Sequence, residues 1–257
     1  MFANASPYDR WRNIVTEYSR RSLTVPSDKL PALSGVAKEV HHLTGDEYIF
    51  GLWRNDLAHG LLWRAVMPGT LVQPASWRAP SWSWASLEGS IEWATRTLRL
   101  DTSDSRNAKI YTKVDSLSEV NSPLGRLKEA ELVISGLWRT AIHIGKQEPE
   151  LLWSSFAASG YATSQHYGYR LFEDRGPPDG QWHSICTCWF DELPPAEARE
   201  YALLLIGIDT GDHDGDMLCA LIWDIVHDSD LVRRVGVALM QSPDSFRDAQ
   251  EVTLRFC

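Results

Sequence analysis

The stretch RAPSWSWASLEG, residues 78–89, sets two indoles one residue apart between serines. Read as a strand, its period of two sends Trp82 and Trp84 to one face and Ser81 and Ser83 to the other. Two uses follow from that spacing. The indoles can cement helices onto a first hairpin, each burying about 200 Å². Alternatively, they line an aromatic pocket shared with Trp53, Trp63 and Trp93, whose ring faces hold a flat or apolar ligand. Ser81, Ser83, Arg78, Glu88 and His59 would then orient that ligand. Packing is the favoured use, but 12 tryptophans in one chain make the pocket the candidate ligand site.

The other reactive clusters fail on spacing. In HSICTCWFDE, His183, Cys186 and Cys188 lie close in sequence, but on a strand the two thiols share a face and the imidazole points away. No second Cys or His pair follows to close a tetrahedron, so no metal is expected there. DTGDHDGDM, residues 209–217, looks like a calcium loop, yet its twelfth position holds Trp223 or Ala220 where a bidentate Glu is required. A solvated turn between two apolar strands fits it better. His41-His42 reads as one packed and one exposed ring, and His59, His143 and His166 have no fixed partner in sequence. There is no nucleophile elbow, phosphate loop or dinucleotide fingerprint. The catalytic residues stay unassigned, and no cofactor is expected.

Composition narrows the class. With 44% hydrophobic and 23% charged residues in 257, the chain is too apolar for disorder and long enough for a large core. A formal net charge of -9 excludes a general nucleic-acid binder, which needs a concentrated basic surface. The longest apolar run, Tyr201 to Ile208, is far shorter than the roughly 20 residues of a membrane helix, so no membrane contact is expected. The start MFANASPYDRWR has no signal-peptide pattern, and four thiols do not make a disulfide framework. A soluble, cytoplasmic protein is expected.

The elements that position these residues read as helices first and strands afterwards. Ser6, Pro7 and Asp9 make a helix start, with Trp11, Ile14, Val15 and Tyr18 on one face. A second helix is expected from Ser27-Asp28 through Leu30, Leu33, Val36, Ala37 and Val40 to Gly45, and a third over DEYIFGLWRNDLAHGLLW. Beyond Pro68 the period becomes two. A hairpin is expected around Glu88-Gly89, followed by strands in AELVISGLWRTAIHI, WHSICTCWF, YALLLIGID, MLCALIWDIV, LVRRVGVALM and EVTLRF. Polar or Gly/Pro-rich loops are expected at 101–108, 145–150 and 173–181. The expected fold is α+β, with N-terminal helices (1–67) packed on an antiparallel sandwich or barrel-like core (68–257), the two folding as one unit.

Several blocks, WRNIVTEYSRRSLTVPSDKLPALSGVA, YIFGLWRNDLAHGLLW, RAPSWSWASLEGSIEW and YALLLIGID with MLCALIWDIV and LVRRVGVALM, together resemble fungal heterokaryon-incompatibility (HET) domain proteins. The resemblance lies in the region C-terminal to the HET domain, whose own blocks, resembling SYCWG and LWIDALCIIQ, have no counterpart here. It implies a non-catalytic companion region that senses a protein partner or an apolar small molecule in fungal nonself recognition. The other expectation is a cofactor-free cyclase or isomerase of fungal secondary metabolism. An enzyme needs an enclosed cavity with converging polar groups, whereas an interaction module exposes a contiguous apolar patch. Self-association through the first helix, by Trp11 and Tyr18, is a further expectation.

Overall fold

The computed structural model describes residues 5–95, 97–99, 109–114, 130–145, 147–156, 163–173, 184–210, 216–224 and 231–256. His183, residues 211–215 of the acidic cluster, the expected loop at 101–108 and all but the first residue of the one expected at 173–181 lie outside them, as does the side chain of His166.

Helix α1 spans Pro7–Ser19 and starts as its sequence dictates. The Ser6 hydroxyl accepts from the Asp9 backbone N–H, and the Asp9 carboxylate accepts from the Ser6 N–H, closing a capping box. Trp11 and Val15 are buried, Tyr18 is half-buried, and Ile14 is 38% exposed. Trp11 and Tyr18, the rings expected to drive self-association, thus pack against the protein's own core. Helix α2 covers Ser34–Thr44 and stops at Gly45, which takes a left-handed φ of 67°. It begins later than expected. Residues 26–33 form two short 3-10 turns, each opened by a proline, because a proline inside a helix removes a donor and crowds the preceding turn.

The expected third helix is instead a tight hairpin. β1 (Tyr48–Ile49) and β2 (Leu52–Trp53) pair in antiparallel register across Phe50 and Gly51, whose φ values are 45° and 89°. Two successive positive φ angles match the twist of a two-residue hairpin and are incompatible with a helix. A one-turn helix α3 (Leu57–Gly60) follows, then β3 (Trp63–Ala65). β3 pairs with β4 (Ile91–Trp93), placing Trp63 opposite Trp93. The expected hairpin around Glu88-Gly89 therefore does not form: residues 84–86 are a 3-10 turn, and the partner of β4 comes from before Pro68.

The remaining strands are β5 (Leu98–Arg99), β6 (Lys109–Val114), β7 (Ala130–His143), β8 (Glu150–Phe156), β9 (Thr163–Phe172), β10 (Ser184–Phe190), β11 (Arg199–Asp209), β12 (Met217–Asp224), β13 (Leu231–Val232), β14 (Arg234–Met240) and β15 (Gln250–Phe256). Six of them follow one another as β7-β11-β12-β14-β10-β9. A bridge between Ile142 and Phe172 returns β9 to β7 and closes an antiparallel barrel. The earlier half of β7 continues outward, pairing with β6 and β15, and only the β13–β15 contact is parallel among these pairs.

Two apolar layers result. Tyr169, Leu171, Cys186, Cys188, Phe190, Leu203, Leu205, Ala220, Ala238 and Met240 fill the barrel. Six strands enclose less room than eight, so side chains fill the interior. Trp189, Leu204, Ile206, Leu221, Val237 and Leu239 face outward into a second core, shared with the N-terminal tryptophans. β11 is buried on both faces, which explains the unbroken apolar run YALLLIG. Among the described residues no helix is long and apolar enough to cross a membrane.

Candidate functional site

Trp53, Trp63, Trp82 and Trp84 are each at most 1% exposed, and Trp93 is half-buried. The reversal of the chain at Phe50-Gly51 brings them together. The Gly51 carbonyl accepts from the indoles of both Trp11 and Trp84 at 3.0 Å. Ser83 caps the 3-10 turn through the Ala85 N–H and donates to the Phe50 carbonyl at 2.6 Å. The Trp63 indole donates to the Trp82 carbonyl at 2.9 Å, and the Trp93 indole to that of Gly60 at 3.2 Å. Phe50 meets Trp82 edge-on, as Tyr18 meets Trp84. Protein atoms thus cover the indole faces of Trp53, Trp63, Trp82 and Trp84, four of the five expected to hold a ligand. Because residues 84–86 turn rather than extend, Ser83 is buried with Trp82 and Trp84, while Ser81 reaches the surface.

The polar candidates are held by neighbours. Arg78 donates to the carbonyls of Pro26, Ala85 and Leu87 and pairs with Glu88. Lys29, 3% exposed, shares Glu88 at 3.2 Å. Burial and the neighbouring Arg78 charge depress the Lys29 ammonium to about 8. Burial raises the Glu88 carboxyl, but its bonds to Arg78 and Lys29 outweigh that and hold it low. His59 bonds the Thr95 carbonyl through Nε2 at 2.7 Å, and burial with the nearby Arg12 charge pushes it down to about 4. It belongs to a separate polar cluster, in which Arg12 bridges Asp9 and Asp56.

Beside Ser81 opens a cleft of about 440 Å³ lined by Gln73, Pro74, Ser76, Trp77, Arg78, Ala79, Ser86, Leu87, Arg233 and Arg234. Of the residues proposed from sequence, Arg78 and Ser81 reach it. Trp77, 63% exposed, stands on its wall with one edge toward Phe50. Sequence reasoning passed over Trp77, although a tryptophan in QPASWRAP, without apolar periodicity and between prolines, marks an indole on a loop. Arg233 pairs with Glu192, which also accepts from Gln73 at 3.2 Å.

Arg234 forms the inner end of this region. It is 1% exposed, bonds Asp191 at 2.5 Å, donates to the Trp63 carbonyl and lies 3.5 Å from the centre of the Trp63 ring. It thereby ties β14 and β10 to β3. Its Nε and the Asp191 Oδ1 have no hydrogen-bond partner among the described residues. Burial raises the Asp191 carboxyl, partly countered by Arg234.

Cys186 and Cys188 face the barrel interior together, as a strand spacing of two requires. Burial pushes the Cys186 thiol up to about 12 and Cys188 well above its ordinary value, so neither is a thiolate nucleophile near neutral pH. Among the described residues no three His, Cys, Asp or Glu side chains are grouped to hold a metal ion. No family model, curated protein or solved structure matches the chain.

Proposed function

We propose that the chain is a non-catalytic recognition module that docks a protein partner on the surface around Trp77. One observation carries this reading. Among the described residues, eight large hydrophobics are exposed, and Met67, Val72, Trp77 and Leu193 come from a single segment and the residue packed on it at Gly69. Four exposed apolar side chains carried on one short segment and its neighbour are what we read as an interaction site. The cleft beside it is open, and its arginines are already bonded to carboxylates and carbonyls, an arrangement suited to holding a chain in place rather than to moving protons. The same role is the one implied by the resemblance to the companion region of HET proteins in fungal nonself recognition, and we extend that reading to this chain.

Quantitative affinity capture from a fungal extract tests it, using the wild type beside Trp77→Ala and Leu193→Ser. Both side chains are largely exposed, so the variants keep the wild-type melting temperature. A defined partner retained by the wild type and lost by both variants is the expected result. Equal capture by all three overturns the proposal.

A further inference from the structure

We propose that His143 is a proton-operated latch on the seam of the barrel: its neutral ring holds β9 against β7, and protonation releases β9 and opens the barrel interior.

The contacts around the seam place the latch. Between β9 and β7 the barrel is closed by a single register pair, Ile142 with Phe172, whereas its other neighbouring strands are joined along runs of paired residues. One ion pair, Arg139 with Glu173 at 4.0 Å, crosses the same seam. His143 follows the closing residue in the chain and is 1% exposed. Its ring lies edge-on to Tyr169 of β9, with 6.0 Å between ring centres, and to Phe190 of β10, with 5.5 Å. Nδ1 accepts from the Gly145 N–H at 3.3 Å, which fixes the turn after β7. That turn is tightly packed, since a Cβ on Gly145 would stand 2.4 Å from the Ala196 carbonyl oxygen. It also carries Gln147, whose side-chain carbonyl accepts from the Arg170 N–H of β9 at 3.3 Å. The imidazole is thus linked to β9 both directly and through the turn.

This geometry suits only a neutral ring. Because Nδ1 accepts, the ring carries its proton on Nε2, which is buried with no partner among the described residues. A second proton has to go on Nδ1, where it meets the Gly145 N–H. The bond is lost, two donors face each other, and a charge is left among aromatic rings. The surrounding groups do not offset that charge. Tyr169 of β9, Cys188 of β10 and Tyr201 of β11 are all held in their neutral forms by burial. Arg199, opposite His143 on β11, adds positive charge, and its partner Asp224 on β12 is bonded to it at 2.6 Å. Glu148 in the turn and Glu173 at the seam are exposed. Burial accordingly holds the His143 imidazole below its ordinary 6.5, so the opened form takes up the proton first. The closed seam keeps this contribution above pH 6.5 and loses it as pH falls below that value. Separating β9 from β7 breaks the shortest pairing in the barrel, so the strain is relieved there.

Thiol labelling tests the latch. Cys186 and Cys188 face the barrel interior, and Cys219 is buried in the outer core. The protein is treated with a pyridyl disulfide reagent, labelled sites are identified by peptide mass spectrometry, and each rate is divided by that of the urea-unfolded chain at the same pH. From about pH 7.5 to about pH 5, relative labelling of Cys186 and Cys188 is expected to rise about tenfold. Cys219 should stay protected and the far-UV circular dichroism unchanged. His143→Phe should abolish the rise, with His143→Gln as the second variant if the first does not fold, while Glu173→Gln should keep it. A rise that survives in the folded His143 variants, or one lost in Glu173→Gln, overturns the assignment to His143. No rise, or labelling of Cys219 in step with the interior pair, overturns the opening itself.

Discussion

Ser83 shows why a motif of serines and indoles can be structural. Its hydroxyl donates to Phe50 and accepts from Ala85, and its carbonyl accepts from the Ser86 hydroxyl. Ser83→Ala leaves the Phe50 carbonyl buried without that donor. A loss of about 1–3 kcal/mol is expected in urea unfolding. A loss below about 0.5 kcal/mol would mean that the Phe50 carbonyl finds another donor. His59 provides a pH signature. Its folded value near 4 lies below its ordinary 6.5, so the unfolded chain takes up the proton first as pH falls. The contribution from keeping this ring neutral is complete above pH 6.5 and is lost between 6.5 and 4, at no more than about 1.4 kcal/mol per pH unit. Asp56, raised by burial to about 6, acts with the opposite sign: the fold favours its protonated form, and stability falls as pH rises from 3.8 to 6. Comparing wild type with His59→Gln across this window isolates the imidazole, since Asp56 is common to both. A constant difference between the two proteins would contradict the neutral ring.

Among the elements, the Phe50-Gly51 hairpin positions the tryptophan cluster. Gly51 has a φ of 89°, and a Cβ there would stand 2.5 Å from the Trp84 indole nitrogen. Backbone strain and overlap act together, so Gly51→Ala is expected to cost more than about 2 kcal/mol. Gly35 near the start of α2 is the contrast, with nothing within 4 Å of its would-be Cβ and no positive φ. Gly35→Ala should stabilise by about 0.5–1 kcal/mol. Equal effects of the two substitutions in thermal unfolding would refute the assigned turn. Besides the shorter strands β1, β2, β3 and β5, three longer ones were not recognised in sequence: β6, β8 and β9. β9, TSQHYGYRLF, begins with four polar residues and contains a glycine, so its β-propensity is weak. Pairing on both sides with β8 and β10 supplies what local preference does not.

At the scale of the whole molecule, the N-terminal elements and the barrel share one apolar core. They are joined by Arg234 stacked on Trp63 and by Arg64, 4.4 Å from the Trp189 ring. Removing one partner of the buried pair, as in Arg234→Met, strands the Asp191 carboxylate and is expected to cost about 3–5 kcal/mol. Arg234→Met combined with Asp191→Leu should recover most of that loss, because no charge is then left buried alone. An additive double mutant in denaturant titration would show that the two residues do not act as a pair. The shared core also sets what can fold alone. Residues 1–67 contain β3 without its partner β4, so that fragment is expected to give a collapsed proton NMR spectrum with little amide dispersion. A dispersed, native-like spectrum would show that the N-terminal part is an independent domain.

The sequence by itself determined the features that rest on short-range rules. The Ser6 helix start, the Gly45 stop, the apolar strands β7, β10, β11, β12, β14 and β15 and the α+β class are visible in periodicity and capping chemistry, because the partners lie within a few residues. Tertiary structure decided which strands pair and which faces are covered. Nothing local to Trp82 or Trp84 says that Gly51, more than thirty residues earlier, accepts from one of them. Nor does anything near Trp63 announce Arg234, which is 171 residues away in the chain. Whether an indole lines a site or fills a core depends on what stands against its two faces. In this protein those neighbours come from distant segments, leaving Trp77, whose flanking prolines keep it out of any strand, as the exposed tryptophan among the described residues.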